Sequence, residues 1–139
     1  MGSKIRRVDY FSMQARDMPG EGARLLKQLQ KAKVDLLAFT GFPSSAGSQI
    51  DFVPAKSEKF KAAAKKLGLK VSRAKSGFLA QGKDKTGVVA DILGKLGKAK
   101  INVTAIDAVA AGKKRFGAIF WVKPADVATA GKALKAKGG

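Results

Sequence analysis

An internal repeat constrains the fold of this chain more than any other feature. The segment "ARDMPGEGARLL" at 15–26 is matched by "GKDKTGVVADIL" at 82–93, at an offset of 67 residues that places Gly20 on Gly87. Further pairs at this offset are Phe11 and Phe78, Gln14 and Gln81, Asp17 and Asp84, Ala23 and Ala90, Leu26 and Leu93, and Leu29 and Leu96. Two similar halves predict two similar modules.

The first copy alternates strand and helix patterns. Its predicted elements are a strand at 8–15, a helix at 19–33, strands at 34–39 and 49–53, a loop at 41–48, a helix from Ser57 to Gly68, and a strand at 69–74. Period-two and period-three spacings of apolar residues support the first strand and the first helix. The first helix is expected to turn Ala23, Leu26, Leu29 and Ala32 inward.

The second copy follows the same order but stops early. Its predicted elements are a strand at 77–81, a helix at 87–99, a strand at 101–109, a hairpin loop at 110–115, a strand at 116–122 and a helix from Pro124. We therefore predict an α+β fold of two ferredoxin-like βαββαβ modules in tandem, 5–75 and 76–137, the second lacking its last strand. The sheet of the second module would then have an unpaired strand edge, which we expect either residues 69–74 or a second chain to cover.

Composition excludes several kinds of chemistry. The chain has no Cys and no His, so it cannot form disulfides, thiolate nucleophiles, the usual zinc sites or His-based triads. The glycines of "GVVADILGK" at 87–95 do not have phosphate-loop spacing. We expect no enzyme activity, no metal and no cofactor. The chain shows neither a signal peptide nor an apolar run long enough for a membrane span, so we expect a cytoplasmic protein.

The net charge of the chain indicates a class of partner but does not indicate a fold. Lys and Arg number 28 against 10 acidic residues, which gives a net charge of +18. Such a charge favours encounter with polyanions, including nucleic acid. A solvated cationic surface with no partner is the alternative explanation.

The repeated turn D-x-x-G joins a strand directly to a helix. This arrangement exposes helix N-terminal amides, which accept a carboxylate or phosphate. Glycine at Gly20 and Gly87 lets the backbone approach a ligand closely. Asp17 and Asp84 are placed to face an ammonium group, so the turn suits an amino acid. The alternative is that each Asp caps its helix and nothing binds.

The segment "RDMPGEGARLLKQLQKAKVDLLAF" resembles the opening of an ACT domain. That family shows D-x-P-G after its first strand, matched here by Asp17, Pro19 and Gly20, while Thr86 replaces the proline in the second copy. Asn102 matches the Asn often found where the second strand begins. The resemblance covers nearly the whole chain as a tandem pair. It implies a regulatory protein that binds an amino acid or another small ligand where two such domains meet.

The resemblance also implies the site. The candidate ligand-binding residues are Asp17, Met18, Pro19, Gly20, Glu21, Gly22, Asp84, Lys85, Thr86, Gly87, Val88, Val89 and Asn102. Amides of Gly20, Gly22, Gly87 and Val88 would receive a carboxylate, and Asp17, Asp84 or Asn102 would hold the amino group. The implied partners are a small-molecule ligand, further copies of the chain in a homo-oligomer and a separate regulated enzyme, with no membrane.

RNA binding is the rival interpretation, because the same module shape can stack bases on its open sheet face. The segment "KKRFGAIFW" at 113–121 resembles an RNA-binding signature, although Ala118 removes one stacking ring. Phe78 is the aromatic residue that the companion strand offers. An exposed Trp121 beside lysines would favour stacking, whereas a Trp121 packed against helices would not.

Overall fold

The chain folds into two compact units. The computed structural model describes residues 4–45 and 47–138. The first unit is Asp9–Lys75, and the second unit combines Met1–Val8 with Ser76–Gly139. The module boundaries expected from sequence, 5–75 and 76–137, stay a prediction.

The described residues form an α+β structure. The strands are β1 (Lys4–Ala15), β2 (Leu36–Ser44), β3 (Gly47–Pro54), β4 (Lys75–Lys83), β5 (Val103–Ala110) and β6 (Arg115–Val122). The helices are α1 (Glu21–Lys31), α2 (Ser57–Leu67), α3 (Val88–Lys98) and α4 (Val127–Leu134), with a 3-10 turn at Pro124–Asp126 before α4. This order is compatible with ferredoxin-like modules.

In the first unit, β3 lies between β2 and β1 and is antiparallel to both. Phe52 stands opposite Phe11 on one side and Phe39 on the other. The Phe60 ring of α2 lies 4.8 Å from the Phe11 ring and 5.2 Å from the Phe52 ring, centroid to centroid. These three rings form the centre of the core and hold α2 against the sheet.

The second unit repeats this arrangement. β6 lies between β4 and β5 and is antiparallel to both, so the third strand of each copy is again the middle one. Phe78 and Phe120 face each other across β4 and β6, with ring centroids 5.5 Å apart. Ile92 and Leu96 of α3 are buried in the same core.

The inward face of α1 differs from the one expected. Leu25 and Leu29 are buried, whereas Ala23 is exposed and Leu26 is half-buried. The three-residue spacing expected from sequence does not hold along the helix, because an α-helix has about 3.6 residues per turn and a strict spacing of three drifts around its axis. Ala32 packs against the core as expected.

The β2–β3 connection is much shorter than expected. The structure continues β2 through Ser44 and begins β3 at Gly47, so most of the predicted loop at 41–48 is strand. In place of the predicted loop, β2 and β3 form ladder pairs such as Phe42 opposite Gln49 and Pro43 opposite Ser48. The Gly, Pro and Ser content of 41–48 suggested a loop. Pro43, however, lies on an outer strand, where the missing backbone N–H donor of a proline is tolerated.

The expected strand at 69–74 is not regular. This segment lies beside β1, since the Ser72 amide donates to the Ser12 carbonyl at 2.8 Å and the Ser12 amide donates to Ser72 Oγ at 2.9 Å. In the second unit, Lys137 pairs with the start of β1 through a single parallel bridge to Arg6. Lys137 exchanges backbone bonds of 3.0 and 2.8 Å with Ile5 and Arg7. In the sheet, β1 is the neighbour of β4, and residues 4–8 of β1 belong to the second unit, so they occupy the edge that was expected to be open.

The sheet face of the second unit that lacks helices is not open at its centre. Leu79, Ile119 and Trp121 alternate with the residues of the helix-side core, yet they are only 4%, 6% and 7% exposed. Phe78 and Phe116 are buried on the helix side. Because all three aromatic side chains of the expected stacking surface are buried, none offers a ring to a base.

Candidate ligand-binding turn

The first strand–helix turn has the geometry that its glycine allows. Gly20 adopts the left-handed conformation, with φ of +86°, immediately before α1. The Glu21 amide donates to the Met18 carbonyl at 3.2 Å, and the Arg24 amide donates to the Gly20 carbonyl at 2.9 Å. An L side chain at Gly20 would be strained even though a Cβ there would meet no atom within 4 Å.

The helix that follows begins without a side-chain cap. No side-chain hydrogen bond caps α1, so Asp17 does not play the capping role that was its alternative explanation. Among the described residues, the amides of Gly22 and Ala23 have no hydrogen-bond partner. These two amides stand in the first turn of the helix, where they carry partial positive charge.

The second turn repeats this geometry. Gly87 has φ of +83°, and the Val88 amide donates to the Lys85 carbonyl at 3.1 Å. The Val88 amide is therefore already occupied, contrary to its expected role as a carboxylate donor. α3 also begins without a side-chain cap.

A cleft of about 380 Å³ lies at the first turn. Its lining residues are Ala15, Arg16, Asp17, Met18, Glu21, Gly22, Phe39, Gly41, Phe42, Pro43, Ser48 and Ile50. Four of the residues expected from sequence, Asp17, Met18, Glu21 and Gly22, thus share one cavity. Loop, helix and the two strands of the β2–β3 hairpin together form its walls.

The cleft gathers most of the exposed large apolar side chains of the described chain. Met18 is 56% exposed, Phe39 38% and Phe42 45%, and all three line the cleft. The other two such residues are Leu93 and Val109. An apolar patch next to polar backbone groups is typical of a site for an amphiphilic small ligand.

The charged side chains of the cleft divide into one pair and two single groups. Glu21 accepts two hydrogen bonds from Arg24, Nε to Oε1 at 2.8 Å and Nη2 to Oε2 at 2.9 Å. These bonds lower the pKa of Glu21 below its usual value, and Arg16 contributes in the same direction. Arg16 and Asp17 are exposed and make neither an ion pair nor a hydrogen bond with the described residues.

Gly47 holds the turn against the β2–β3 hairpin. A Cβ at this position would lie 2.9 Å from the Ala15 carbonyl oxygen and 3.6 Å from the Asp17 amide nitrogen. Its φ of +122° also disfavours any side chain. The hairpin therefore packs directly on the backbone that leads into the turn, which fixes one wall of the cleft.

The second turn carries bulkier apolar residues than the first. Val88 and Val89 occupy the places of Glu21 and Gly22 at the repeat offset, and both pack against the core of their unit. Lys85 and Thr86 are exposed, as is Asp84, whose amide donates to the Lys114 carbonyl at 2.8 Å.

Asn102 is not brought to the second turn within its own unit. It follows α3, whose C-terminal end is closed by the Ile101 amide donating to the Leu96 carbonyl at 2.9 Å. Eleven helical residues separate this end from Gly87, a distance of about 16 Å at the rise of an α-helix. Its repeat counterpart, Asp35, lines a different cleft of about 450 Å³ with Leu26 and Lys33.

Sequence reasoning missed Arg16, Phe39 and Phe42. Arg16 stands immediately before the motif, and its charge was a usable signal. Phe42 fell within the segment predicted to be a loop, and Phe39 was assigned only to an apolar strand. For Phe39 and Phe42, the signal would have been aromatic residues exposed on a strand at the edge of its sheet.

No helix in 4–45 or 47–138 is long and apolar enough to cross a membrane. In the same residues, no three acidic side chains come together as metal ligands would.

Comparison with known proteins finds similarity in structure only. No family model matches the sequence, and no curated protein matches it. Protein BT0572 from Bacteroides thetaiotaomicron is 14% identical over 96% of this chain and 88% of its own, with a TM-score of 0.75. The ligand-free regulatory subunit of aspartate kinase from Thermus thermophilus is 14% identical, over 97% and 95% of the two chains, with a TM-score of 0.62. The chain shares the fold of this regulatory subunit.

A second regulatory subunit supports the same conclusion. That of aspartate kinase from Thermus flavus is 16% identical, over 97% of this chain and 94% of its own, with a TM-score of 0.58. The likeness to these regulatory folds confirms, at the level of fold, the ACT-type resemblance found in the sequence. Both neighbours are described as regulatory subunits, not as catalytic ones.

Proposed function

We propose that this chain is a regulatory protein of tandem ACT-like modules, 5–75 and 76–137, that binds an amino acid at the first strand–helix turn. The cleft at that turn carries the proposal, because it combines uncapped helix amides, unpaired charges of both signs and exposed apolar side chains. An α-amino acid has a carboxylate, an ammonium group and a side chain. Each finds a complementary surface within this one cleft.

The carboxylate is assigned to the α1 N-terminus. The free amides of Gly22 and Ala23 lie at the positive end of the helix dipole. Arg16 adds a guanidinium that forms no ion pair with the described residues. Amides and guanidinium together provide the charge-assisted hydrogen bonds that carboxylates accept most strongly.

The ammonium group is assigned to Asp17. This carboxylate is exposed at the cleft, whereas Glu21 is held by Arg24. The ligand side chain is assigned to the apolar wall formed by Met18, Phe39 and Phe42. We therefore expect the ligand to have an apolar side chain, because a charged one would lose hydration against these rings without gaining a partner.

The second turn is proposed to have a mainly structural role. In the second copy, Val88 and Val89 occupy the positions at which the first copy has Glu21 and Gly22, and both pack against the core of their unit. Asp84, Lys85, Thr86, Gly87 and Asn102 stay candidate ligand residues of that copy, with lower expected affinity. No cofactor and no catalytic residue is part of the proposal.

Regulation requires that the ligand prefer one arrangement of the protein over another. We propose that a separate enzyme is the regulated partner, as the name of the neighbouring aspartate kinase subunits suggests for those proteins. We also propose that the chain is a homo-oligomer, since β5 lies at the outer edge of its sheet and carries one charged residue, Asp107.

Amide chemical shifts test the assignment of the site. In a titration with leucine, methionine and phenylalanine, we expect the Gly22 and Ala23 amides to shift strongly with at least one of them. Val89 and Ala90 occupy the same helical positions in the second copy and serve as internal controls. Shifts confined to Val89 and Ala90, or no saturable shifts at either turn, would contradict the proposal.

A further inference from the structure

Five cationic side chains come together at one end of the second unit. They are Lys83, Lys85, Lys113, Lys114 and Arg115, here called the basic hairpin patch, and all five are exposed. Lys83 stands opposite Arg115 in the β4–β6 ladder. The Asp84 amide donates to the Lys114 carbonyl at 2.8 Å, which fixes the β4–α3 turn to the β5–β6 hairpin.

The tip of this hairpin places lysines where they are conformationally disfavoured. Gly112, Lys113 and Lys114 have φ values of +81°, +51° and +57°. The Arg115 amide donates to the Gly112 carbonyl at 3.0 Å, so Lys113 and Lys114 are the two central residues of a tight turn. Positive φ at both positions is the hairpin geometry that selects Asn-Gly. Two lysines in these positions lower the stability of the turn.

The charges of the patch are not neutralised inside the protein. The two ion pairs among the described residues, Glu21 with Arg24 and Glu58 with Lys61, lie on α1 and α2 of the first unit. Asp84 is the acidic residue within the patch, and its carboxylate bonds to none of the five cations. A compact group of unpaired cations attracts a polyanion.

We propose that the basic hairpin patch binds the phosphate backbone of duplex DNA. The patch lies at the tip of the β5–β6 hairpin beside the end of β4, where its exposed cations can neutralise the closely spaced phosphates of a duplex. The aromatic rings that would bind single strands by stacking are buried, namely Phe78, Phe116 and Trp121. Binding is therefore through phosphates and without sequence preference.

The shape of the patch also argues against an anionic membrane as the partner. Beside the cations, the hairpin tip presents Ala110, Ala111 and Gly112. Anionic membranes attract basic patches as well, but firm binding to a membrane surface also takes large apolar side chains that enter the acyl boundary. None stands among the residues of this tip.

A double substitution separates the effect of the patch's charge on DNA binding from an effect on folding. Lys113→Asn with Lys114→Gly removes two charges and installs the residues that the turn geometry prefers, so the melting temperature should rise. Binding to a fluorescein-labelled 20-base-pair DNA duplex should weaken roughly 30-fold at 0.15 M salt, if both lysines contact phosphates. The slope of log K against log salt should fall by about 2 in magnitude.

Lys33→Asn with Lys100→Gly is the matched control. Lys33 and Lys100 also have positive φ, +59° and +61°, and lie at the ends of α1 and α3. This control removes the same charge and relieves the same strain, and it should keep at least a third of the wild-type DNA affinity. An equal loss in both variants would overturn the proposal, because net charge alone would then explain binding. Binding to anionic vesicles without binding to DNA would overturn it as well.

Discussion

Arg16 is the side chain on which recognition of the ligand carboxylate depends in this proposal. It is exposed at the cleft and has no acidic partner among the described residues. We expect Arg16→Gln to raise the Kd of the bound amino acid about tenfold to a hundredfold, since a hydrogen bond to a charged group contributes about 1.5–3 kcal/mol. Calorimetric titration gives this ratio directly.

Arg73→Gln is the control for that substitution. Arg73 has the same charge, belongs to the same unit and lies outside the cleft at the first turn. It should leave the Kd unchanged. Equal Kd values for wild type, Arg16→Gln and Arg73→Gln would exclude Arg16 from the site.

The Glu21–Arg24 pair gives the turn a pH dependence of known sign. Hydrogen bonding from Arg24 lowers the pKa of Glu21 below 4.5. The pair therefore stabilises the folded chain above the ordinary Glu pKa, and this contribution is lost as the pH falls through the lowered value. We expect the melting temperature of wild type to exceed that of Glu21→Gln slightly at pH 7, with the difference disappearing as the pH falls through the lowered pKa of Glu21. A difference that grows on acidification would contradict this assignment.

Among the elements, α1 shows most clearly what the sequence predicts and what it leaves open. The repeat and the apolar periodicity correctly indicate a helix after Gly20. The three-residue spacing through Leu26 and Leu29 suggested the inward face, yet Leu26 is half-buried and its repeat counterpart Leu93 is 36% exposed. Leucine occupies both inward and boundary positions, so residue identity alone could not fix the rotation of the helix.

The β2–β3 hairpin could not be recognised from local composition. The Gly, Pro and Ser residues of 41–48 are typical of a loop, but a strand forms because β3 supplies a ladder along it. That tertiary pairing also brings Phe39 and Phe42 to the cleft. The backbone half of the site was therefore predictable from the repeated turn, whereas its apolar half depends on a pairing between distant residues.

Two leucines of α1 provide a direct test of the observed face. Leu29 is 1% exposed, whereas Leu26 is only half-buried. We expect Leu29→Ala to lower the free energy of unfolding by about 2–5 kcal/mol, and Leu26→Ala to lower it by less than about 1 kcal/mol. Urea unfolding measures both. Equal losses, or a larger loss for Leu26→Ala, would mean that α1 is rotated from this position.

At the scale of the whole molecule, the outer strand β5 is the element through which the proposed self-association would occur. Val109 is 65% exposed on this edge, and the strand carries one charged residue, Asp107. Outer strands that present few charges pair with other chains. We expect a homo-oligomer by light scattering after size exclusion, and a shift toward monomer in Val109→Lys. A wild-type monomer at every concentration tested would contradict the proposed association.

Thermal unfolding of the chain against each of the twenty amino acids tests the central claim most directly. A ligand present at about one hundred times its Kd stabilises the folded state by about 2.7 kcal/mol. We expect one or a few amino acids with apolar side chains to raise the melting temperature of wild type, and Arg16→Gln to lose most of that rise. A melting temperature unmoved by all twenty would contradict the claim that the first turn is an amino-acid site.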